Sequence, residues 1–331
     1  MKKIILFLIF GAFLFSSNAV VGDDMPETPL FYRINIDKEI GATTWRYMQK
    51  GYDEAQKAGA AAIILRLNTY GGTVVHADSI RTLILNSSMP VYAFIDNNAA
   101  SAGALIAISC DSIYMREGAN IGAATVVNQT GKAMPDKYQS YMRATIRSTA
   151  EAQGYDTVYT VSGDTEVHWR RNPQIAEAMV DERIVVPGLC DSTKVLTLTA
   201  REALQWGYCE AIAESVDDII TSRLGYWQYK VEQFEPSFYD DLVGFLQNPV
   251  VQGILIMLII GGIYFEIQTP GVGFPLAVSV IAAILYFAPL YLSGLAASWE
   301  ILVFLLGIIL LVLELLVIPG FGIAGILGLI C

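Results

Sequence analysis

The chain has 331 residues, 54% of them apolar, with a mean hydropathy of +0.46 and a formal net charge of −11. Apolar content this high excludes an ordinary soluble enzyme and calls for membrane segments joined to a soluble part. The acidic balance argues against a nucleic-acid partner, and two histidines with scattered cysteines form no metal-ligand pattern, so neither metal nor cofactor is expected.

Lys2-Lys3, the apolar stretch 4–15 and Ser17-Asn18-Ala19 have the three-part layout of a secretory signal peptide over residues 1–19, with cleavage after Ala19. The apolar stretch is short of the ~18 residues a spanning helix needs; a retained N-terminal anchor is the alternative. A cleaved signal places the soluble part of the chain outside the cytoplasm.

From 28 to 248 the pattern alternates apolar strands with amphipathic helices. Residues 31–36 read as a strand; Trp45, Met48, Tyr52 and Ala55 then recur at helical spacing until Gly59 ends the helix. A continuous apolar strand is expected over 61–67, a helix over 74–85, a strand over 91–95, a buried helix over 102–110 and another strand over 113–115. Strict alternation predicts an α/β domain with a mostly parallel sheet, and in such sheets sites form beyond the carboxyl ends of strands.

Two loops obey that rule. Residues 68–73, Asn-Thr-Tyr-Gly-Gly-Thr, follow one strand, and Ser101 follows the next in the run Ala99-Ala100-Ser101-Ala102-Gly103-Ala104. A serine at a sharp strand-to-helix turn exposes its hydroxyl, while free N–H groups at the helix start can meet an oxyanion. The Gly71-Gly72 pair lets backbone approach closely, so that it supplies one donor and Ala102 the other. The bland alternatives are a serine N-cap and a plain glycine turn; the two loops after consecutive strands raise each other's standing.

A serine nucleophile needs a base. His76 falls inside the 74–85 helix and His168 in a polar stretch with Glu166, Arg170 and Arg171; both read as surface histidines. Lysine is the other activator, effective where its surroundings lower its pKa. Lys137 lies at the start of a helix that Pro135 opens and that runs to about Gln153, where the helix dipole disfavours an ammonium. Lys132, in a glycine-containing loop, competes with it, and a solvated surface lysine is the alternative for both. The segment 121–127 is expected to bind an extended peptide by strand addition, with Gly71, Ile121, Gly122 and Ala123 touching substrate.

No lysine or arginine follows Lys230. Apolar runs over 249–265, 273–295 and 301–318 each approach membrane-crossing length, and a fourth begins at Phe321, which leads us to expect a fragment of a longer protein. Glu266 with Pro270-Gly271 is echoed by Glu314 with Pro319-Gly320, as in a repeated helical hairpin; beside these breakers the two carboxylates read as interfacial caps ahead of intramembrane chemistry. Cys110 is expected to be a buried thiol, and Cys190 and Cys209 are candidates for a disulfide.

The glycine pair and the Ser101 run, together with Glu117-Gly118-Ala119-Asn120-Ile121-Gly122-Ala123-Ala124, Pro135-Asp136-Lys137, the stretches 171–181 and 196–204, and the 314–322 tail, resemble the NfeD family of membrane-bound serine proteases. The resemblance implies a Clp protease/crotonase-like fold followed by an all-α transmembrane region over 249–331. It implies Ser101 as nucleophile and Lys137 as general base of a Ser-Lys dyad, with the Gly72 and Ala102 N–H groups as oxyanion hole. The Clp subunit has a histidine soon after its serine; none occurs between Ala102 and Asp136, which fits a lysine base. Long family members carry a C-terminal OB-type domain that this chain lacks, and a stomatin-like partner is implied.

The resulting expectation is a multi-pass membrane serine endopeptidase, its protease domain extracytoplasmic, acting on apolar peptide or membrane-protein segments. Its expected partners are such a substrate, membrane lipid and further copies in a homo-oligomer. Three rivals stand beside it: a signal peptide peptidase of the same superfamily, a crotonase-like acyl-CoA enzyme, and a noncatalytic membrane scaffold for stomatin-like proteins. A secretory signal argues against the CoA enzyme, since CoA is not expected outside the cytoplasm.

Overall fold

The apolar strand runs and the helically spaced apolar residues between 30 and 115 fold as strands and helices in a computed structural model. The structure describes residues 28–128, 130–159, 165–268, 273–292, 298–316 and 322–330; the expected signal segment and Cys331 lie outside them. Strand β1 (Leu30–Ile36) leads to helix α1 (Ala42–Lys57), which buries Thr44, Tyr47, Met48, Gly51, Tyr52 and Ala55 on one face and ends at Gly59, whose φ is 67°. Next come β2 (Ala62–Thr69), α2 (Val74–Leu85), β3 (Val91–Ala100), α3 (Ala102–Ser109) and β4 (Ser112–Met115). Every α3 residue is buried, as suits a helix apolar all round whose one hydroxyl, on Ser109, donates to the Ile106 carbonyl at 2.6 Å.

The remainder of the domain comprises β5 (Asn120–Gly122), α4 (Asp136–Ala152), a hairpin of β6 (Tyr155–Tyr159) with β7 (Thr165–Trp169), α5 (Pro173–Ala178), β8 (Thr197–Thr199), α6 (Ala200–Gln205), β9 (Ala211–Ile212), α7 (Val216–Asp218), β10 (Lys230–Gln233) and α8 (Phe238–Leu246). The main sheet runs β10-β1-β2-β3-β4-β9 with all pairings parallel; β5 extends the β3 ladder, and only its pairing with β8 is antiparallel. The expected mostly parallel sheet is therefore present.

One boundary differs in a way that shapes the site. Asp96-Asn97-Asn98 reads as loop by composition, yet β3 continues through it to Ala100. Asn98, Ala99 and Ala100 pair with Asn120, Ile121 and Gly122 of β5, and buried Asp96 forms ion pairs with Arg66 and Arg116. Partners from elsewhere in the chain supply the ladder and the countercharges that local propensity does not.

The two candidate disulfide cysteines are separate thiols. Cys190 Sγ lies 3.6 Å from the Ile184 carbonyl and Cys209 Sγ 3.0 Å from that of Ala211, and burial pushes the Cys209 thiol up to about 12. Cys110 is fully buried as expected.

Beyond α8 come α9 (Pro249–Gln268), α10 (Phe274–Leu292), α11 (Ser298–Leu316) and α12 (Ile323–Ile330). Among the described residues, α9 and α10 are long and apolar enough to cross a membrane. They approach closely at Gly262, where a Cβ would lie 2.5 Å from the Pro275 carbonyl, and Ser279 Oγ donates to the Ile259 carbonyl at 2.9 Å. Glu266 accepts from the Gly273 and Leu276 N–H groups at 3.2 and 3.4 Å, a cap on α10. The side chain of Glu314 lies outside the described residues.

Helix α8 joins the two parts. Asp240, buried at its start, accepts from Arg46 (3.1 Å) and Lys50 of α1 and closes a capping box with Ser237. Burial alone would raise its pKa, but the hydrogen bonds from Lys50, Ser237 and Arg46 hold the carboxyl well below the usual range. Replacing Asp240 with alanine strands two partly exposed cations and an N-cap; a loss of about 1–3 kcal/mol is expected. Thermal unfolding of the bilayer-reconstituted chain checks this, and an unchanged midpoint counts against the clamp.

Candidate active site

Strand β3 meets helix α3 with a single residue between them. That residue is Ser101, and its backbone takes φ 56°, ψ −118°, a conformation L-residues rarely adopt. Such strain costs about 1–3 kcal/mol and persists only where neighbours enforce it. Here the Ser101 N–H donates to the Gly122 carbonyl at 2.8 Å and the Ser101 carbonyl accepts from Ala104 N–H at 3.0 Å. The serine does not cap α3 with its side chain, contrary to the N-cap alternative. Its hydroxyl is left at the strand-to-helix corner, the layout of a nucleophile elbow.

The glycine pair lies against it. A Cβ on Gly71, whose φ is 111°, would fall 2.6 Å from Ser101 Cβ and 3.1 Å from its Oγ. Gly72 is held from the other side: Ile40 N–H donates to the Gly71 carbonyl at 2.9 Å and Thr73 N–H to the Ile40 carbonyl at 2.8 Å. Thr69 Oγ1 ties the loop further, accepting from Gly71 N–H at 3.1 Å and donating to the Lys38 carbonyl at 2.8 Å. Bonding of Gly71 and Thr73 toward Ile40 turns the intervening Gly72 N–H to the opposite side. Among the described residues neither it nor the Ala102 and Gly103 N–H groups at the start of α3 has an acceptor. Ser101, Gly71, Gly72 and Ala102 thus lie together at one edge of the sheet.

Gly72, Ser101 and Ala102 border a cleft of about 360 Å³ whose walls include Glu39, Tyr70, residues 124–128 and Met142. Tyr70 at its rim is 83% exposed, an apolar ring offered to solvent or ligand. The expectation of strand addition along 121–127 is narrowed by the sheet. Ile121 and Gly122 are paired with β3 on one side and β8 on the other, Ile121 is fully buried, and Ala123 N–H donates to the Leu196 carbonyl at 3.0 Å. Their part is to hold the Ser101 corner; the cleft wall proper begins at Ala124.

Lys137 is the second residue of α4 and exposed, its Nζ 4.8 Å from the centroid of the Tyr138 ring, and it does not line the cleft. Its surroundings nevertheless border it. Gln139 binds both the N–H (3.0 Å) and carbonyl (2.7 Å) of Val126, and Asp136 accepts from Arg183 at 3.0 Å. Arg183 and Arg143 also pair with Asp181, where the hydrogen bonds from Arg183 keep the carboxyl well below its ordinary range. The start of α4 is therefore fastened beside the cleft wall while the lysine side chain stays in solvent. Pro135 is the N-cap of α4 where the sequence predicts its first turn. His76 Nδ1 lies 2.6 Å from Thr73 Oγ1, half-buried, and desolvation lowers its pKa; it does not line the Ser101 cleft. His168 lies on β7. Among the described residues no cluster could hold a metal ion.

Residues 30–170 match the family described as "NfeD1b, N-terminal domain", and residues 250–331 match the "NfeD integral membrane domain". The membrane protein NfeD1b of Bacillus subtilis is 33% identical over 97% of this chain and 69% of its own length. The membrane-bound protease PH1510 of Pyrococcus horikoshii is 27% identical over the whole chain and 72% of its own length. Among solved structures, the 1510-N membrane-bound stomatin-specific protease, a lysine-to-alanine variant in complex with a substrate peptide, superposes with a TM-score of 0.54 at 26% identity. The match covers 66% of this chain and 98% of that one. A serine-to-alanine variant of the same protease matches with a TM-score of 0.51, at 26% identity over 63% of this chain and 99% of that one.

Proposed function

This chain belongs to the NfeD family, and from that premise we propose that it is a membrane-bound serine endopeptidase that cleaves apolar segments of membrane-associated proteins. The observation that carries the reading is the strained Ser101 corner packed on Gly71, with the N–H groups of Gly72 and Ala102, which have no acceptor among the described residues, beside it. Lys137 is the general base. Held at the start of α4 beside the cleft wall, it swings inward when a peptide covers the cleft and excludes water; catalytic contacts are commonly formed only in the substrate complex. Neutral Lys137 Nζ takes the Ser101 proton as Oγ attacks the scissile carbonyl, and the Gly72 and Ala102 N–H groups stabilise the oxyanion. The ammonium then protonates the leaving amine, and water releases the acyl group.

An apolar peptide suits a cleft edged by Tyr70 and Val127, and the substrate is a stomatin-like protein by analogy with the stomatin-specific protease. The membrane region crosses the bilayer several times and leaves the protease domain outside the cytoplasm. A noncatalytic scaffold is the second reading, favoured by the exposed position of Lys137 in this structure. Labelling separates the two. The bilayer-reconstituted chain is expected to react covalently with a fluorophosphonate probe and the Ser101→Ala variant to remain unlabelled. No reaction in either removes the protease reading and leaves the scaffold.

A further inference from the structure

Helix α8 buries Asp240, Val243 and Leu246 and leaves a band of Phe238, Tyr239, Leu242 and Phe245 exposed, with Phe238 77% and Tyr239 75% open. At 100° per residue these four positions cover an arc of about 120°, the width of a complete apolar stripe. Such a stripe on the outside of a helix that is already docked by its other face needs a separate occupant.

The adjoining helices indicate the occupant. Only Gln247 and Asn248 separate α8 from α9, so the stripe's end lies within about 10 Å of a helix built to cross a membrane. Leu246 belongs to one apolar cluster with Leu255 and Ile259 of α9 and Ala282 of α10, and Gln247 Nε2 donates to the Pro289 carbonyl near the end of α10 at 3.4 Å. Helix α8 therefore rests on the end of the apolar hairpin where the chain enters the bilayer. Its outward face, two phenylalanines, a leucine and a tyrosine, suits the boundary of headgroups and acyl chains, while Asp240 and Asp241 are paired with α1.

We propose that the Phe238, Tyr239, Leu242 and Phe245 face of α8 is a lipid-binding surface embedded in the membrane interface, and that it seats the soluble domain on the bilayer. Asp240 and Asp241 transmit the seating, the first through Arg46 and Lys50, the second by accepting from the Tyr47 hydroxyl at 2.9 Å. A cavity of about 580 Å³ bounded by Glu39, Thr73, Phe245 and Pro249 shares Glu39 and Thr73 with the Ser101 cleft. Seating α8 thus sets the cavity that adjoins that cleft beside the membrane surface. The surface itself does not depend on the catalytic reading.

The test uses the full chain in phosphatidylcholine nanodiscs, with nitroxide labels placed singly at Phe238→Cys, Leu242→Cys and Phe245→Cys, and at Lys57→Cys as reference. Lys57 is exposed at the far end of α1, the native Cys110, Cys190 and Cys209 are buried, and Cys331 is replaced by alanine. The three α8 labels are expected to be relaxed preferentially by oxygen and the Lys57 label by a water-soluble nickel chelate. Preferential relaxation by nickel at all positions places the stripe in water and overturns the proposal. Exclusion of both relaxants from the α8 labels means that a protein covers it, which also overturns the proposal.

Discussion

A single methyl group at Gly72 is expected to disable the site and to loosen the domain. An alanine Cβ there would lie 2.2 Å from the Ile40 carbonyl oxygen, 2.6 Å from its nitrogen and 2.7 Å from its carbonyl carbon. All three atoms are backbone, held by the Ile40 N–H to Gly71 and Thr73 N–H to Ile40 hydrogen bonds, so no side chain can rotate away. The loop must move, breaking one or both bonds. A cost of about 3 kcal/mol is expected, toward the upper end for overpacking, and it should lower the melting temperature by roughly 6–12 °C. Displacement also withdraws the Gly72 N–H from the position beside Ser101. Loss of one oxyanion donor lowers kcat by about 10²–10³-fold. Calorimetry of the reconstituted chain and turnover of a fluorogenic apolar peptide give the two readouts. A variant that melts lower and hydrolyses normally would show that the Gly72 N–H is not a donor.

The second large effect concerns the base. Lys137→Ala is expected to lower kcat by about 10²–10⁴-fold with little change in stability, because the residue is exposed and exposed substitutions usually cost under about 0.5 kcal/mol. Its neighbours, not its side chain, fasten the start of α4, through Gln139 on Val126 and Asp136 on Arg183. The charge state gives a sharper criterion. Only an amine that can take up and release a proton can serve Ser101 as its base. Lys137→Arg keeps the positive charge but cannot release a proton, and it is expected to be as inactive as alanine. An arginine variant with wild-type turnover would reject the base assignment and return attention to His76, which approaches Thr73 in the neighbouring cavity.

The same geometry brings the glycine pair against the serine although a strand and a helix separate them in sequence. Parallel strands β2 and β3 end side by side, with Thr69 paired to Ala99, so the residues just past each strand emerge at the same edge. Gly103, the second residue of α3, adds to this closeness: a Cβ there would lie 2.8 Å from Thr69 Cγ2. Small residues in the run 99–104 are required by packing as well as by chemistry, which is why that run by itself leaves its role open.

Where the apolar pattern is strong and local, the sequence alone determined the outcome. Period-3.6 and continuous apolar runs specify α1, β2 and α2 to within a residue or two, the long apolar runs specify α9 and α10, and strict alternation specifies a mostly parallel sheet with its site at the strand ends. Those features depend on burying apolar surface, and burial is written in the spacing of apolar residues. The tertiary structure alone decided the rest, because each remaining feature rests on partners distant in sequence. Asp96 to Ala100 become strand only when β5, Arg66 and Arg116 arrive, and the extension removes the loop before Ser101 and forces its backbone into the strained corner. Ile121 and Gly122 lose their expected place on the substrate edge because β8, far along the chain, occupies it. Lys137 appears in the sequence as a base near a helix start; the fold places that start beside the cleft and leaves the side chain outside, a matter of packing between α4 and the 124–128 wall that no residue spacing encodes.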